Sequence, residues 1–267
     1  MPVDGAGAVF TPDLPCGELG TCRLSMGVAH PRSGGPWPVV VMVPGGPRAP
    51  DADQYLGDFA GSVASQGAVV FVANFRETPQ WGGGSPASYQ DIACAIRFAR
   101  ANAAQWGGDG SRVTLVAHSF GTFVGSVVAL SPDAFEPDPG TCLTTTGSTK
   151  PDAFVGIAGV YSQKDVSQET LTSFFGGPKD QRAEAWAAGD PYALVGAKSE
   201  IGMPVRLIQG TIDTNVLPRS AQEFQQALQD AGYDSTLTMV ERADHSGVLQ
   251  NHHAIQVVME TALGLKP

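Results

Sequence analysis

Short runs of branched apolar residues alternate with longer amphipathic patterns, and this alternation limits the possible folds more than any other feature of the chain. Six such runs occur from residue 37 onward: 39–43, 68–73, 112–117, 153–160, 204–209 and 235–240. Runs that are apolar at every position are typical of parallel strands with both faces covered. Apolar residues recur at helical spacing in the segments between them: 52–66, 86–105, 119–130, 218–232 and 246–263. The sequence therefore predicts an α/β fold with a mostly parallel sheet and helices on both faces.

The remaining segments predict an edge strand and two insertions. Residues 21–30 alternate in polarity, which favours an antiparallel edge strand or hairpin. Residues 131–150 and 161–200 break the alternation of strands and helices, and we expect both to be insertions that form short cap elements. We expect residues 1–267 to form a single domain around one sheet, since α/β domains of this size are common.

Composition narrows the class of partner. The chain has 16 Lys and Arg residues against 26 Asp and Glu, and its net charge of −10 opposes binding to nucleic acid. It has no apolar run of about 18 residues that would predict a membrane span. We expect a small-molecule substrate and no cofactor or metal. The sequence leaves open whether copies of the chain associate.

The four cysteines do not have the spacing of a zinc site. Two disulfides, Cys16 with Cys22 and Cys94 with Cys142, would suit an exported protein, whereas four free thiols would suit the cytoplasm. The N-terminus has no basic and apolar segments of the signal-peptide type. Both the cytoplasmic and the secreted location therefore stay open.

The most informative local motif is Ala117-His118-Ser119-Phe120-Gly121, where an apolar strand runs directly into a helix. A turn this tight requires small residues two positions before and two positions after the serine, and alanine and glycine meet that requirement. The turn would place the Ser119 hydroxyl at a helix N-terminus, where a developing negative charge is stabilised. We interpret Ser119 as a nucleophile; the alternative is an ordinary helix-capping serine.

A serine nucleophile needs a base and a group that orients the base. Asp213 follows the run at 204–209, and His245 follows the run at 235–240. The carboxyl ends of parallel strands meet at one edge of a sheet, so these residues and Ser119 are predicted to meet there. The alternatives are a helix-capping role for Asp213 and a packing role for His245.

The second requirement is a pair of N–H donors for an oxyanion. One donor is predicted to be the backbone N–H of Phe120, the residue after the nucleophile. The other is expected in Pro44-Gly45-Gly46-Pro47, directly after the run at 39–43. Gly46 is the first choice and Gly45 the second, because proline has no N–H to donate.

These motifs together resemble the esterase and lipase branch of the α/β-hydrolase fold, and more narrowly carboxylesterase-like and hormone-sensitive-lipase-like enzymes. The resemblance covers about 37–263 and includes the long stretch 74–121 that leads to the nucleophile. It implies an α/β-hydrolase fold and a serine hydrolase with the catalytic triad Ser119, Asp213 and His245. Those families usually have histidine where this chain has Pro44. The loop is also similar to that of proline iminopeptidases, except that Arg48 replaces a glycine.

The sequence thus predicts a carboxylic ester hydrolase that acts on a small-molecule ester through an acyl-enzyme intermediate. Peptidase, lactonase, thioesterase and other acyl-transfer or lyase chemistry remain alternatives in the same pocket, because a fold does not determine a reaction. A binding protein that keeps a hydrolase scaffold is the non-enzymatic alternative.

Overall fold

A mixed sheet of eight strands forms the centre of the molecule. The computed structural model describes residues 1–46 and 55–265. Within them the strands are β1 Val3–Val9, β2 Leu14–Pro15, β3 Thr21–Cys22, β4 Ser25–Pro31, β5 Trp37–Val43, β6 Val69–Ala73, β7 Gly108–His118, β8 Ala153–Ile157, β9 Val205–Gly210 and β10 Ser235–Val240. The sheet order is β1-β4-β6-β5-β7-β8-β9-β10, and β2 pairs separately with β3. β1 with β4 and β4 with β6 are antiparallel, whereas the other neighbours are parallel. The predicted mostly parallel sheet is confirmed.

Helices cover both faces of the sheet. They are α1 Gly57–Ser65, α2 Ala87–Asn102, α3 Phe120–Leu130, α4 Gln168–Phe174, α5 Ala183–Ala188, α6 Pro191–Ala197, α7 Arg219–Ala231 and α8 His252–Ala262. α2, α3 and α7 pack on one face, and α1 and α8 pack on the other. The strand β5 shows why its sequence is apolar throughout: Val39, Val41 and Val43 join the first core, while Val40 and Met42 join the second.

The last helix begins later than the pattern predicts. Residues 247–250 form a 3₁₀ turn, and α8 begins only at His252. The Asn251 side chain accepts a hydrogen bond from the His253 N–H, which caps this start. The predicted helix at 52–66 is observed from Gly57, and the expected start at 52–54 lies outside the described residues.

The two predicted insertions occupy different places. Residues 161–200 contain α4, α5 and α6. Residues 131–150 lie along α2, where Cys142 forms a disulfide with Cys94 and Arg97 donates to the Gly147 carbonyl at 2.8 Å. Cys16 and Cys22 form the other disulfide. The division of the chain into one domain with caps stays a prediction.

A buried ion pair supports the loop that follows β6. Arg76 donates from Nη2 to Asp91 Oδ1 at 2.7 Å and from Nε to Oδ2 at 2.9 Å, and its backbone N–H donates to Oδ2 at 3.0 Å. Both side chains are at least nine-tenths buried. Arg76 also donates to the Pro15 carbonyl at 3.3 Å, so the pair joins α2 to the N-terminal segment. Such a bidentate pair fixes the backbone geometry of the loop.

We expect Asp91→Ala to lower the free energy of unfolding by about 3–5 kcal/mol, because it leaves the Arg76 charge buried without a partner. Urea unfolding followed by tryptophan fluorescence measures this loss. The matched control is Asp4→Ala, which removes a pair with Arg32 whose side chains are 63% and 50% exposed and should leave the midpoint unchanged. Equal midpoints for Asp91→Ala and the wild type would contradict the role of the pair.

Candidate active site

Ser119 sits in a strained turn between β7 and α3. Its φ of 55° lies in the left-handed region, which a residue with a side chain rarely adopts. Such strain costs about 1–3 kcal/mol and persists only where neighbouring contacts enforce it. The Ser119 N–H donates to the Ile157 carbonyl at 3.0 Å, and the Ser119 carbonyl accepts from the Thr122 N–H at 3.0 Å and from its hydroxyl at 2.6 Å. The turn is therefore fastened to β8 and to the first turn of α3.

Two glycines allow the loop after β5 to approach this turn. A Cβ on Gly121 would lie 2.3 Å from the Pro44 carbonyl oxygen, and a Cβ on Gly45 would lie 2.5 Å from the Ser119 Cβ. Any larger side chain at either position would push the two backbones apart. The small residues in the motif therefore serve close contact between the serine and the glycine loop.

Asp213 follows β9 and is held by four hydrogen bonds. Its Oδ1 accepts from the backbone N–H groups of Asn215 at 2.9 Å and Val216 at 3.0 Å. Its Oδ2 accepts from the Gln209 side chain at 3.0 Å and lies 2.9 Å from the Nδ1 of His245. The carboxylate is fully buried. Its orientation is fixed because each oxygen has its own set of donors.

His245 lies between the serine and the aspartate. Its Nε2 is 2.9 Å from the Ser119 hydroxyl oxygen, and its Nδ1 faces the Asp213 carboxylate. A carboxylate only accepts, so Nδ1 carries the proton and Nε2 is left as an acceptor. The structure thus brings together the three residues predicted as a triad, in the geometry in which a histidine takes a proton from serine. Their catalytic roles remain predictions.

The predicted oxyanion donors lie on two sides of the serine. The Phe120 N–H belongs to the first residue of α3, a position that has no acceptor within its own helix. The Gly45 N–H already donates to the Tyr55 hydroxyl at 2.7 Å, so the second-choice donor has another acceptor. Gly46 and Phe120 therefore remain the predicted pair of oxyanion donors. Pro47 and Arg48 lie outside the described residues.

Two adjoining depressions surround these groups. The first is a cleft of about 360 Å³ that contains Ser119 and His245. The second is a pocket of about 480 Å³ that shares Gly46 with the cleft and has Phe120 in its wall. Its other lining residues come from the loop after β6 and from α4: Thr78, Pro79, Gln80, Glu169, Thr170, Ser173 and Phe174. This volume suits a small organic ligand.

The pocket combines an aromatic wall with a polar rim. Phe120 and Phe174 meet edge to face with ring centroids 5.9 Å apart. The sequence places Phe174 and several other aromatic residues in the insertions, but it does not show which of them line a pocket and which pack in the core. Phe174 is itself almost completely buried, and Tyr161 and Phe175 lie in the same core without lining the pocket. Sequence reasoning also missed Tyr55, since its only signal is that it follows the glycine loop.

The described residues show neither a metal-binding cluster nor a membrane span. No group of three or more His, Cys, Asp or Glu side chains among residues 1–46 and 55–265 is arranged to hold a metal ion. None of the helices in that part of the chain has the length and apolar character needed to cross a bilayer.

Comparison with known proteins identifies the family. The sequence profile of the BD-FAE family matches residues 27–228, which is more than half of the chain. The chain belongs to the BD-FAE family. This BD-FAE member is 31% identical over 142 residues to Esterase LipC of Mycobacterium tuberculosis (strain ATCC 25618 / H37Rv). The aligned part is 52% of this chain and 34% of LipC, so the chain spans about a third of the length of that relative.

Solved structures show the same fold at low sequence identity. A truncated carbohydrate esterase from gut microbiota superposes with a TM-score of 0.76 and 17% identity, over 91% of this chain and 90% of that one. Esterase 2 of Thermogutta terrifontis superposes with a TM-score of 0.71 and 20% identity, over 92% of each chain. The predicted α/β-hydrolase fold is confirmed. LipC and both of these solved structures are named as esterases.

Proposed function

We propose that this BD-FAE member hydrolyses small carboxylic esters through an acyl-enzyme formed on Ser119. The observation that carries the proposal is the hydrogen-bonded series from Ser119 through His245 to Asp213, with 2.9 Å at both contacts. The strained turn supports it further, because such strain is typical of sites where a side chain must be presented.

In the first half of the reaction His245 takes the Ser119 hydroxyl proton while Oγ attacks the ester carbonyl carbon. The tetrahedral oxyanion is stabilised by the N–H groups of Phe120 and Gly46. The carbon–oxygen bond to the alcohol then breaks, and His245 gives its proton to the departing alcohol. Asp213 keeps the imidazole oriented and stabilises its positive charge without taking the proton.

In the second half water replaces the alcohol. His245 removes a proton from water as the hydroxide oxygen attacks the acyl carbon, and a second tetrahedral oxyanion forms in the same place. The bond to Ser119 Oγ breaks, the serine recovers its proton from His245, and the carboxylic acid leaves. The cycle consumes one ester and one water and returns the protein unchanged.

The type of bond that is cleaved distinguishes the proposed esterase from a peptidase, a thioesterase or a lactonase. Phenyl acetate, S-phenyl thioacetate and acetanilide share an acyl group and a ring, and differ only in the bridging oxygen, sulfur or nitrogen. We expect the largest acceleration over the uncatalysed rate for phenyl acetate, with γ-butyrolactone as a further comparison. A larger acceleration for acetanilide, the thioester or the lactone would replace esterase by peptidase-type, thioesterase or lactonase chemistry.

A further inference from the structure

His118, the residue before the nucleophile, has no role in the mechanism above, yet it lies at the centre of a hydrogen-bonded series. It is only 3% exposed. Its Nε2 lies 3.1 Å from the backbone carbonyl oxygen of His245, and its Nδ1 lies 2.6 Å from the Tyr55 hydroxyl oxygen. The same hydroxyl accepts the Gly45 N–H at 2.7 Å. The series therefore joins the glycine loop to the backbone of His245.

The direction of every hydrogen bond in this series follows from chemistry. A carbonyl oxygen only accepts, so the His118 proton is on Nε2 and is donated to His245. Burial lowers the pKa of the His118 imidazole to about 4, so the ring is neutral near pH 7 and Nδ1 is an acceptor. The Tyr55 hydroxyl must then donate to Nδ1, while its oxygen accepts from Gly45. One tautomer satisfies all three contacts.

We propose that His118 and Tyr55 are positioning residues that hold the oxyanion loop and the backbone of His245 at a fixed spacing around Ser119. This inference rests on the proposed function, because it concerns the geometry of that reaction. Neither residue takes part in proton transfer. Both ring nitrogens of His118 already have partners, and the Tyr55 hydroxyl is engaged on both its proton and its oxygen.

The packing around Gly45 explains why this spacing matters. On one side Gly45 lies against the nucleophile, where even a Cβ would come within 2.5 Å of the Ser119 Cβ. In addition, the Gly45 N–H donates to the Tyr55 hydroxyl. The rings of His118 and His245 lie with centroids 4.8 Å apart, so the base is in contact with the same series. A misplacement of about 1 Å in such a site costs about 10²-fold in rate.

The test uses Tyr55→Phe, which keeps the ring and removes only the hydroxyl. We expect kcat for phenyl acetate to fall about 10-fold, because the hydroxyl contacts with Gly45 and His118 are both lost, with KM changed less than twofold. His118→Gln should lower kcat as well, and the double variant should lose no more than the slower single variant, because both act through one series. Tyr192→Phe, on α6 and outside the series, is the matched control and should keep the wild-type kcat.

The outcomes separate this inference from the proposed function. Wild-type kcat in Tyr55→Phe, or a raised KM with unchanged kcat, would overturn the positioning role. In that case an inactive Ser119→Ala variant would still support Ser119 as the nucleophile. If the falls in kcat of the two single variants multiply in the double variant, the two residues act independently. That result would also overturn the claim that they act through one series. Wild-type turnover by Ser119→Ala would overturn the proposed function itself. Tyr55→Phe is conservative at a partly exposed site, so it remains decisive if His118→Gln fails to fold.

Discussion

Replacing Ser119 with alanine is expected to lower kcat for phenyl acetate by about 10⁴- to 10⁶-fold, because the atom that attacks the ester is removed. The fold should survive, since the bonds that fasten this turn to Ile157 and Thr122 use the backbone N–H and carbonyl of residue 119. Steady-state kinetics on the purified variant, with circular dichroism to confirm folding, measures the loss.

The matched control for this change is Ser33→Ala, which removes a hydroxyl from an exposed position between β4 and β5. It should leave kcat and KM at their wild-type values. A Ser119→Ala variant that hydrolyses phenyl acetate at the rate of this control would contradict the assignment of the nucleophile.

Asp213→Asn is expected to lower kcat by about 10⁴-fold without unfolding the protein. The neighbours determine how the new amide would lie. Oδ1 accepts two backbone N–H groups, from Asn215 and Val216, so the amide oxygen must stay there and the NH₂ group must replace Oδ2. That group would face the Gln209 NH₂, and it would donate to His245 Nδ1. The imidazole would then carry its proton on Nε2 and could not accept one from Ser119.

Asp244→Asn provides the control for this experiment. Asp244 precedes His245, but its carboxylate is exposed and accepts the Gly247 N–H at 2.7 Å, an acceptor role that an amide oxygen can keep. Its kcat should match the wild type. Equal activity of Asp213→Asn and Asp244→Asn would mean that His245 does not depend on Asp213 for its tautomer.

The parts of the structure that depend on local pattern were predictable from the sequence. The parallel strands are apolar on both faces, as β5 illustrates, and this pattern needs no knowledge of distant contacts. Once the strands are recognised, parallel topology brings their carboxyl ends to one edge. For that reason Ser119, Asp213 and His245 could be grouped although they are separated by up to 126 residues.

The parts that depend on tertiary contacts were not predictable in this way. The strand β1 has the sequence VDGAGAV and is mostly exposed, so its signal is weak and it forms by backbone pairing with β4. The link from Tyr55 to His118 joins residues 63 positions apart and leaves no periodic pattern. The disulfide state was also open, because spacing alone cannot show that Cys94 and Cys142 meet.

The central claim, that Ser119 is the nucleophile activated by His245, is tested most directly by finding the site of covalent modification. The protein is treated with a fluorophosphonate, digested and mapped by mass spectrometry, in parallel with Ser119→Ala. We expect a single adduct on the peptide that contains Ser119, complete loss of ester turnover when labelling is complete, and no adduct in the variant. An adduct on another residue, or full ester turnover with Ser119 blocked, would contradict it.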